Sequence, residues 1–234
     1  MSEGRSSDTP GKALIIAIDG PSGAGKGTVA RAVAGRLRYR HVDTGAMYRA
    51  VAWKALREGV NLADERATSD AARRAQIRAL NDVVTVDGQD VSRDIRTPEI
   101  DAAAAAVARQ PRVREILIAQ QRELGKDGGI VMEGRDIGTV VFPNADVKIY
   151  LDAAPAERAR RRANDPAHAS GRSGAAVQDV ATALEARDRS DTTRAASPLT
   201  PAADAIHVDT TELPVDEVID RVLTLIRKKE EGRR

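Results

Sequence analysis

Between an apolar run and a helix-patterned segment, Gly20-Pro-Ser-Gly-Ala-Gly-Lys-Gly-Thr28 narrows the choice of folds more than anything else in this chain. The run before it, Ala13-Leu-Ile-Ile-Ala-Ile-Asp19, is short and continuously apolar, as strands of a buried parallel sheet are. After it, Val29, Val33 and Leu37 recur at four-residue spacing between Thr28 and Arg38 and give one apolar helix face. Strand, glycine turn, helix is a βα unit.

The strand signal returns in Gly129-Ile-Val-Met132, which leads into Glu133-Gly-Arg-Asp136, and in Val147-Lys-Ile-Tyr-Leu151, which leads into an arginine-rich helix. Ala205-Ile-His-Val-Asp209 reads as the last strand, followed by a helix over about 215–228 with Val218, Val222 and Ile226 on one face. Strands alternating with helices imply an α/β domain with a central parallel sheet covered on both sides. Residues 61–96 break the rhythm. They predict a helix over about 69–80, then a hairpin in 83–91, because Asp87-Gly88 stands between alternating apolar residues. The expected organisation is a polar tail over 1–11, a core of 12–60 and 97–228, a small inserted α/β subdomain over 61–96, a lid over 157–175 and a charged tail over 229–234.

Composition excludes several classes. No apolar run approaches the roughly 20 residues of a membrane span. MSEGRSSDTPGK lacks a signal peptide's apolar stretch, so secretion is not expected. Cysteine is absent, which excludes disulfides, thiolate metal sites and cysteine nucleophiles and suits the cytoplasm. With a net charge of only +2 and 2% aromatics, a polynucleotide partner is disfavoured. His41, His168 and His207 are isolated from one another and are read as neither ligands nor bases.

The glycines of 20–28 permit positive φ and let backbone N–H groups converge on an anion at a helix N-terminus, where the dipole adds its attraction. Lys26 would then reach the β- and γ-phosphates of a nucleoside triphosphate. The match to G-x-x-x-x-G-K-[ST] is offset, since Gly27 stands where the hydroxyl belongs and Thr28 follows. After the loop there is no D-x-x-G and no N/T-K-x-D guanine signature, so a switch GTPase is not expected and a kinase with a small acceptor is.

An acceptor with its own phosphate brings more negative charge, and arginines beside turns are the groups to neutralise it. Of the 37 basic residues, 30 are arginine, whose rigid fork suits bidentate phosphate binding. The candidates are Arg49, Arg114, Arg135, Arg187 and Arg194, whereas Arg109, Arg122 and Arg221 read as solvated helix-face residues. Arg187, Asp191 and Arg194 share a helix face, which serves either ion pairing along the helix or a phosphate cleft. Arg158 and Arg162 lie four apart in the arginine-rich segment and either swing over the donor or coat a solvated helix.

The order I-D-G-P-S-G-A-G-K-G-T, D-T-G-A-M-Y-R, I-R-T-P-E, P-R-V-R, G-R-D-I-G-T-V-V-F-P-N-A, K-I-Y-L-D-A, R-D-R-S-D-x-x-R and P-L-x-P-A-x-D-A resembles bacterial cytidylate kinases from about Ile15 to the last helix. The G-R-D-centred segment carries the distinction, because adenylate kinases share the loop but lack it. The resemblance implies a P-loop kinase fold, with a monophosphate-binding insert and a short lid, that transfers the γ-phosphate of ATP to CMP or dCMP with Mg²⁺. It implies a monomer. The donor would be held by Gly20, Pro21, Ser22, Gly23, Ala24, Gly25, Lys26, Gly27 and Thr28, with Arg158 and Arg162 from the lid. Acceptor-phosphate contacts match Arg49, Arg135 and Arg187. Cytosine contacts match Arg114 and Asp136, the sugar contact matches Asp191, and Thr44 matches a serine of the acceptor pocket. Lys26, Arg135, Arg187 and Arg194 are the expected catalytic cations, Thr28 the hydroxyl nearest the metal and Asp43 an outer-shell partner.

The chain departs from the family pattern at Ala105, where members offer a serine to cytosine. Asp136 would accept from the exocyclic amine of cytosine, where uracil presents a second acceptor. Its other reading is a salt bridge or a turn aspartate. Two alternatives to the leading expectation are a P-loop kinase for UMP or a non-nucleotide acceptor, which Ala105 keeps open, and a non-catalytic nucleotide-binding regulator.

Overall fold

The structure, a computed structural model, describes residues 13–165 and 176–232. The expected 1–11 tail, residues 166–175 of the expected lid with His168, and the last two residues of the charged tail lie outside the described residues.

A parallel sheet forms the centre. Strands β1 (Ile15–Asp19), β2 (Arg40–Asp43), β6 (Ile130–Gly134), β7 (Val147–Asp152) and β8 (Ile206–Asp209) lie in the order β2-β6-β1-β7-β8, every pair parallel. Successive β1 side chains alternate between two cores. Ile16 and Ile18 pack on one side with helix α1 (Lys26–Leu37) and the last helix α8 (Val215–Glu231), where Val29 and Val33 meet Val218, Val222 and Ile226. Ala17 faces the other core, built from α2 (Thr44–Arg57), α4 (Pro98–Val107) and α5 (Pro111–Gly125). A fully buried isoleucine contributes on the order of 1.5–3 kcal/mol, so the two cores account for the sheet's central position. Helix α8 runs three residues past its expected end at 228.

The 61–96 stretch differs from expectation in one element. Its helix α3 spans Glu65–Arg74, starting four residues earlier than read because the Asp64 side chain accepts from Ala67 N and caps it. The expected helical residues 77–80 are instead strand β3 (Ile77–Leu80), paired antiparallel with β4 (Val83–Val86), which pairs with β5 (Gln89–Asp90). Alanines at 71, 72, 75 and 79 continue a helical period in the sequence, but Ile77 and Ala79 gain more by facing the core from a sheet. The hairpin itself follows the Asp87-Gly88 signal, with φ of 52° and 83° at the two turn residues. At the β3–β4 turn, Asn81 exchanges two hydrogen bonds with the His41 backbone (3.0 and 3.1 Å) and so covers the edge strand β2.

Helices α6 (Pro155–Asn164) and α7 (Val177–Thr193) pack on each other through a small cluster of Ala159, Ala163, Val180 and Leu184. Arg122 is exposed, as expected of a helix-face arginine, yet it is also tethered. It donates to the Val140 and Val141 carbonyls (2.7 and 3.0 Å) and ties α5 to the turn after β6.

The sharpest local demand on the sequence is at Gly20. Its φ is +146°, and a Cβ there would lie 2.0 Å from the Leu151 carbonyl oxygen of β7. Gly20→Ala should therefore cost about 3 kcal/mol or more from strain plus overlap. Urea unfolding tests this, and an unchanged midpoint would show that the loop relaxes freely.

Candidate active site

Parallel register brings the functional segments together. Asp43 pairs with Glu133 across β2–β6, and Asp19 with Gly134 across β6–β1. The carboxyl ends of the three strands therefore deliver Asp43-Thr44, Glu133-Gly-Arg-Asp136 and the glycine loop to one crevice, where ligands of open α/β sheets bind. The crevice is a cleft of about 610 Å³, lined by Ser22 to Thr28, Asp43, Thr44, Arg49, Arg114, Arg135, Asp136, Arg162, Arg187, Asp191 and Arg194. Of the expected site residues, Gly20, Pro21 and Arg158 do not line it.

Lys26 opens α1 and is buried, its Nζ donating to the Pro21 carbonyl at 2.6 Å. Burial and the nearby Arg135 push its ammonium down to about 7, against the opposing pull of Glu133 and Asp19. The arginines confront one another. Arg187 is held below its usual range by burial and then by Arg135, and Arg162 is pushed down to about 10 by burial despite Asp101, with Arg187 and Arg49 adding to the fall. Cations gathered this closely are relieved by a polyanion. Arg49, Arg135 and Arg187 thus share one cleft with Lys26.

Each is aimed by a named partner. Asp43 caps α2 through Oδ1 (Ala46 N, 3.0 Å) and holds Arg49 through Oδ2 (2.8 Å). Burial would raise the Asp43 carboxyl, but Arg49, the Ala46 N–H and Arg96 hold it well below the usual carboxylate range. Asp191 accepts from Arg135 Nε (3.0 Å) across the cleft and from Arg194 (3.3 Å), while Arg187 reaches Asp101 at 3.8 Å. Arg162 bonds the same Asp101 at 3.1 Å, linking α6 and α7 to α4. At the far end, Arg114 and Asp136 form a buried pair at 2.5 Å, so both readings of Asp136, ion pair and cleft carboxylate, are present together. The Thr44 hydroxyl donates to the Glu133 carbonyl at 2.7 Å.

Arg158 corrects the expectation of an arginine swinging over the donor. Its guanidinium is engaged by the Ala153 carbonyl (3.0 Å), the Ser22 carbonyl (3.1 Å) and Asp188, so it buttresses the glycine loop. Arg160 and Arg161 line the cleft instead. Ala105 is half-buried and does not line the cleft; Ala104 and Ala108 do.

A family model described as cytidylate kinase matches residues 16–228. The chain belongs to the cytidylate kinase family. It is 45% identical over 222 residues to a cytidylate kinase of Solibacter usitatus (strain Ellin6076), covering 95% of this chain and 96% of that one. To a cytidylate kinase of Pelotomaculum thermopropionicum it is 50% identical over 216 residues, covering 90% and 95%. The crystal structure of an uncharacterized protein from Eubacterium ventriosum, 11% identical, superposes with a TM-score of 0.50 over 92% of this chain and 98% of that one, a likeness of fold alone.

Four residues are not signalled by the sequence: Glu133 and Tyr48 line the cleft, and Asp19 and Asp101 stand behind it, bonded to groups beside or along it. Asp19 accepts from the Ile137 and Gly138 N–H groups (2.8 and 2.7 Å) and fixes the turn after β6; burial pushes its carboxyl up to about 6 despite those bonds. Glu133 lines the cleft and shares a 3.1 Å hydrogen bond with His41. A Cβ at Gly27 would stand 3.1 Å from Glu133 Oε1, so a side chain at the expected hydroxyl position would press on that carboxylate. Tyr48 and Asp101 are the other two. Among the described residues no three His, Cys, Asp or Glu side chains cluster as a metal cage, and no helix is long and apolar enough to cross a membrane.

Proposed function

We propose that the chain transfers the γ-phosphate of ATP to CMP or dCMP, giving ADP and CDP or dCDP. The observation that carries this reading is the convergence of Lys26 with Arg49, Arg135 and Arg187 in one cleft whose far end presents the buried Arg114–Asp136 pair. Membership of the family, whose relatives are named cytidylate kinases, supports it.

Phosphoryl transfer depends on alignment and charge neutralisation. The glycine loop's N–H groups and Lys26 hold the donor phosphates. Arg49, Arg135 and Arg187 hold the acceptor phosphate, and with Arg194 and Lys26 they stabilise charge spreading over the equatorial oxygens. The attacking oxygen is already ionised, so no side chain need remove a proton. Asp136 accepts from the cytosine amine, and Asp191 faces the sugar. Arg160, Arg161 and Arg162 on α6 and Arg187 on α7 flank the cleft, where they restrict water, the competing acceptor.

Mg²⁺ is the expected cofactor, bound mainly through the donor's phosphates as that ion usually is. The residues present fit it. Thr28 and the Glu133 carboxylate both face the cleft beside the loop, and Asp43, held by Arg49 and the Ala46 N–H, lines the same cleft, where it would meet the ion through water. When bound, the ion neutralises charge on the transferring phosphates. The same reading takes the enzyme as a cytoplasmic monomer without membrane or polynucleotide partners, a view supported by the absence of cysteine and the scarcity of aromatic residues.

A coupled assay across CMP, dCMP, UMP and AMP with ATP tests it. CMP or dCMP should exceed AMP by orders of magnitude in kcat/KM. A flat acceptor profile would refute the assignment.

A further inference from the structure

At the end of the cleft formed by Tyr48, Ala104, Ala108, Arg114, Asp136 and Arg194, hydrogen-bond donors outnumber acceptors. Arg114 and Arg194 only donate. The one carboxylate, Asp136, is engaged by Arg114 at 2.5 Å and approached by Arg194 at 3.9 Å. Arg114 Nε and Arg194 Nη2 are buried without a partner, and the Tyr48 hydroxyl, toward which Arg114 donates, finds no acceptor for its own hydrogen. The Tyr48 ring lies under the Arg114 guanidinium at 5.3 Å, which fixes the side chain in place. Beside that hydroxyl stand Arg114, Asp136 and Arg194, and none of them accepts its hydrogen. Ala104 and Ala108 contribute methyl groups, and the Thr44 hydroxyl is already committed to the Glu133 carbonyl.

A buried hydroxyl whose hydrogen has no acceptor is costly unless a ligand supplies one. We propose that Tyr48 is a specificity-determining residue whose hydroxyl donates to a ring acceptor, N3 or O2, of the acceptor's pyrimidine base. The inference rests on the function proposed above and adds a contact to it. Cytosine meets every group at this end: its amine donates to Asp136, and its two ring acceptors take donors from the Tyr48 and arginine side. The hydroxyl thus supplies a bond that alanine at 105 does not.

Tyr48→Phe removes one oxygen and keeps the ring and its stacking on Arg114, so the fold should hold or gain slightly. Steady-state kinetics and calorimetric CMP binding test the proposal. The expected result is a rise of about tenfold in the KM and Kd for CMP, with kcat and the KM for ATP within twofold of the parent. Unchanged CMP affinity overturns the proposal. So does an equal rise in both KM values, which would mark general distortion. If the parent chain itself does not phosphorylate CMP, the function assigned above fails first, a result separable from any effect of the variant.

Discussion

Replacing Lys26 with methionine should lower kcat on the order of 10³-fold while leaving the fold intact. The ammonium is the buried cation at the start of α1, its Nζ held 2.6 Å from the Pro21 carbonyl. Removing one preorganised group that faces developing charge typically removes a factor of about 10²–10³ in rate. Stability should move little or rise. Burial and Arg135 lower the ammonium to about 7 from an ordinary 10.5, so the folded state carries that charge at a cost below pH 7. Between about 7 and 10.5 the unfolded chain holds a proton that the folded chain has released, so this residue's contribution to stability increases as pH rises through that window. Methionine removes both the cost and the pH dependence. A melting temperature that collapses together with kcat would instead make Lys26 a structural residue.

The same titration gives the parent a signature on donor binding. A triphosphate favours the charged ammonium, so binding at pH 8 should draw up to about one proton from solution, and donor affinity should weaken as pH rises above 7. Calorimetry at pH 8 in two buffers of different ionisation enthalpy reads this uptake. Lys26→Met should abolish the difference between the two heats.

How much of the cleft was legible in the sequence depended on how local the signal was. The βα unit around Lys26 needs only consecutive residues, and so does the hairpin at Asp87-Gly88. The clustering of Arg49, Arg135 and Arg187 followed from motif order and the family resemblance, not from any period in the chain. Residues whose roles come from strand order were invisible. Glu133 meets His41, and Asp19 meets the turn after β6, only because β2, β6 and β1 are neighbours, an order that no local pattern encodes. Arg158 was misread for a related reason. Arginines at 158, 160, 161 and 162 look alike in sequence, and only packing against the loop and Asp188 decides which becomes a strut and which faces the cleft. Strand β3 was read as helix because alanine spacing satisfies a helical period, and tertiary pairing with β4 overrides it.

Asp136→Ala should produce the largest combined loss of stability and selectivity. Arg114 and Asp136 lie 2.5 Å apart with side chains 2% and 8% exposed, and Arg114 Nε already lacks a partner. Deleting the carboxylate leaves a buried guanidinium uncompensated, which costs about 3–5 kcal/mol. For a chain of this size that corresponds to a melting temperature lower by roughly 6–20 °C. Selectivity should fall with it, because the carboxylate accepts from the cytosine amine while uracil places an oxygen there, a mismatch of roughly ten- to a hundredfold. Asp136→Asn separates the two effects. Its carbonyl oxygen still accepts from Arg114, so part of the stability returns, but its amide now donates toward the base. Asparagine should therefore shift preference from CMP toward UMP at a smaller loss of melting temperature than alanine causes. If Asp136→Asn kept the parent's CMP preference, the carboxylate would serve Arg114 alone, and base selection would have to arise from the arginine and tyrosine donors around it.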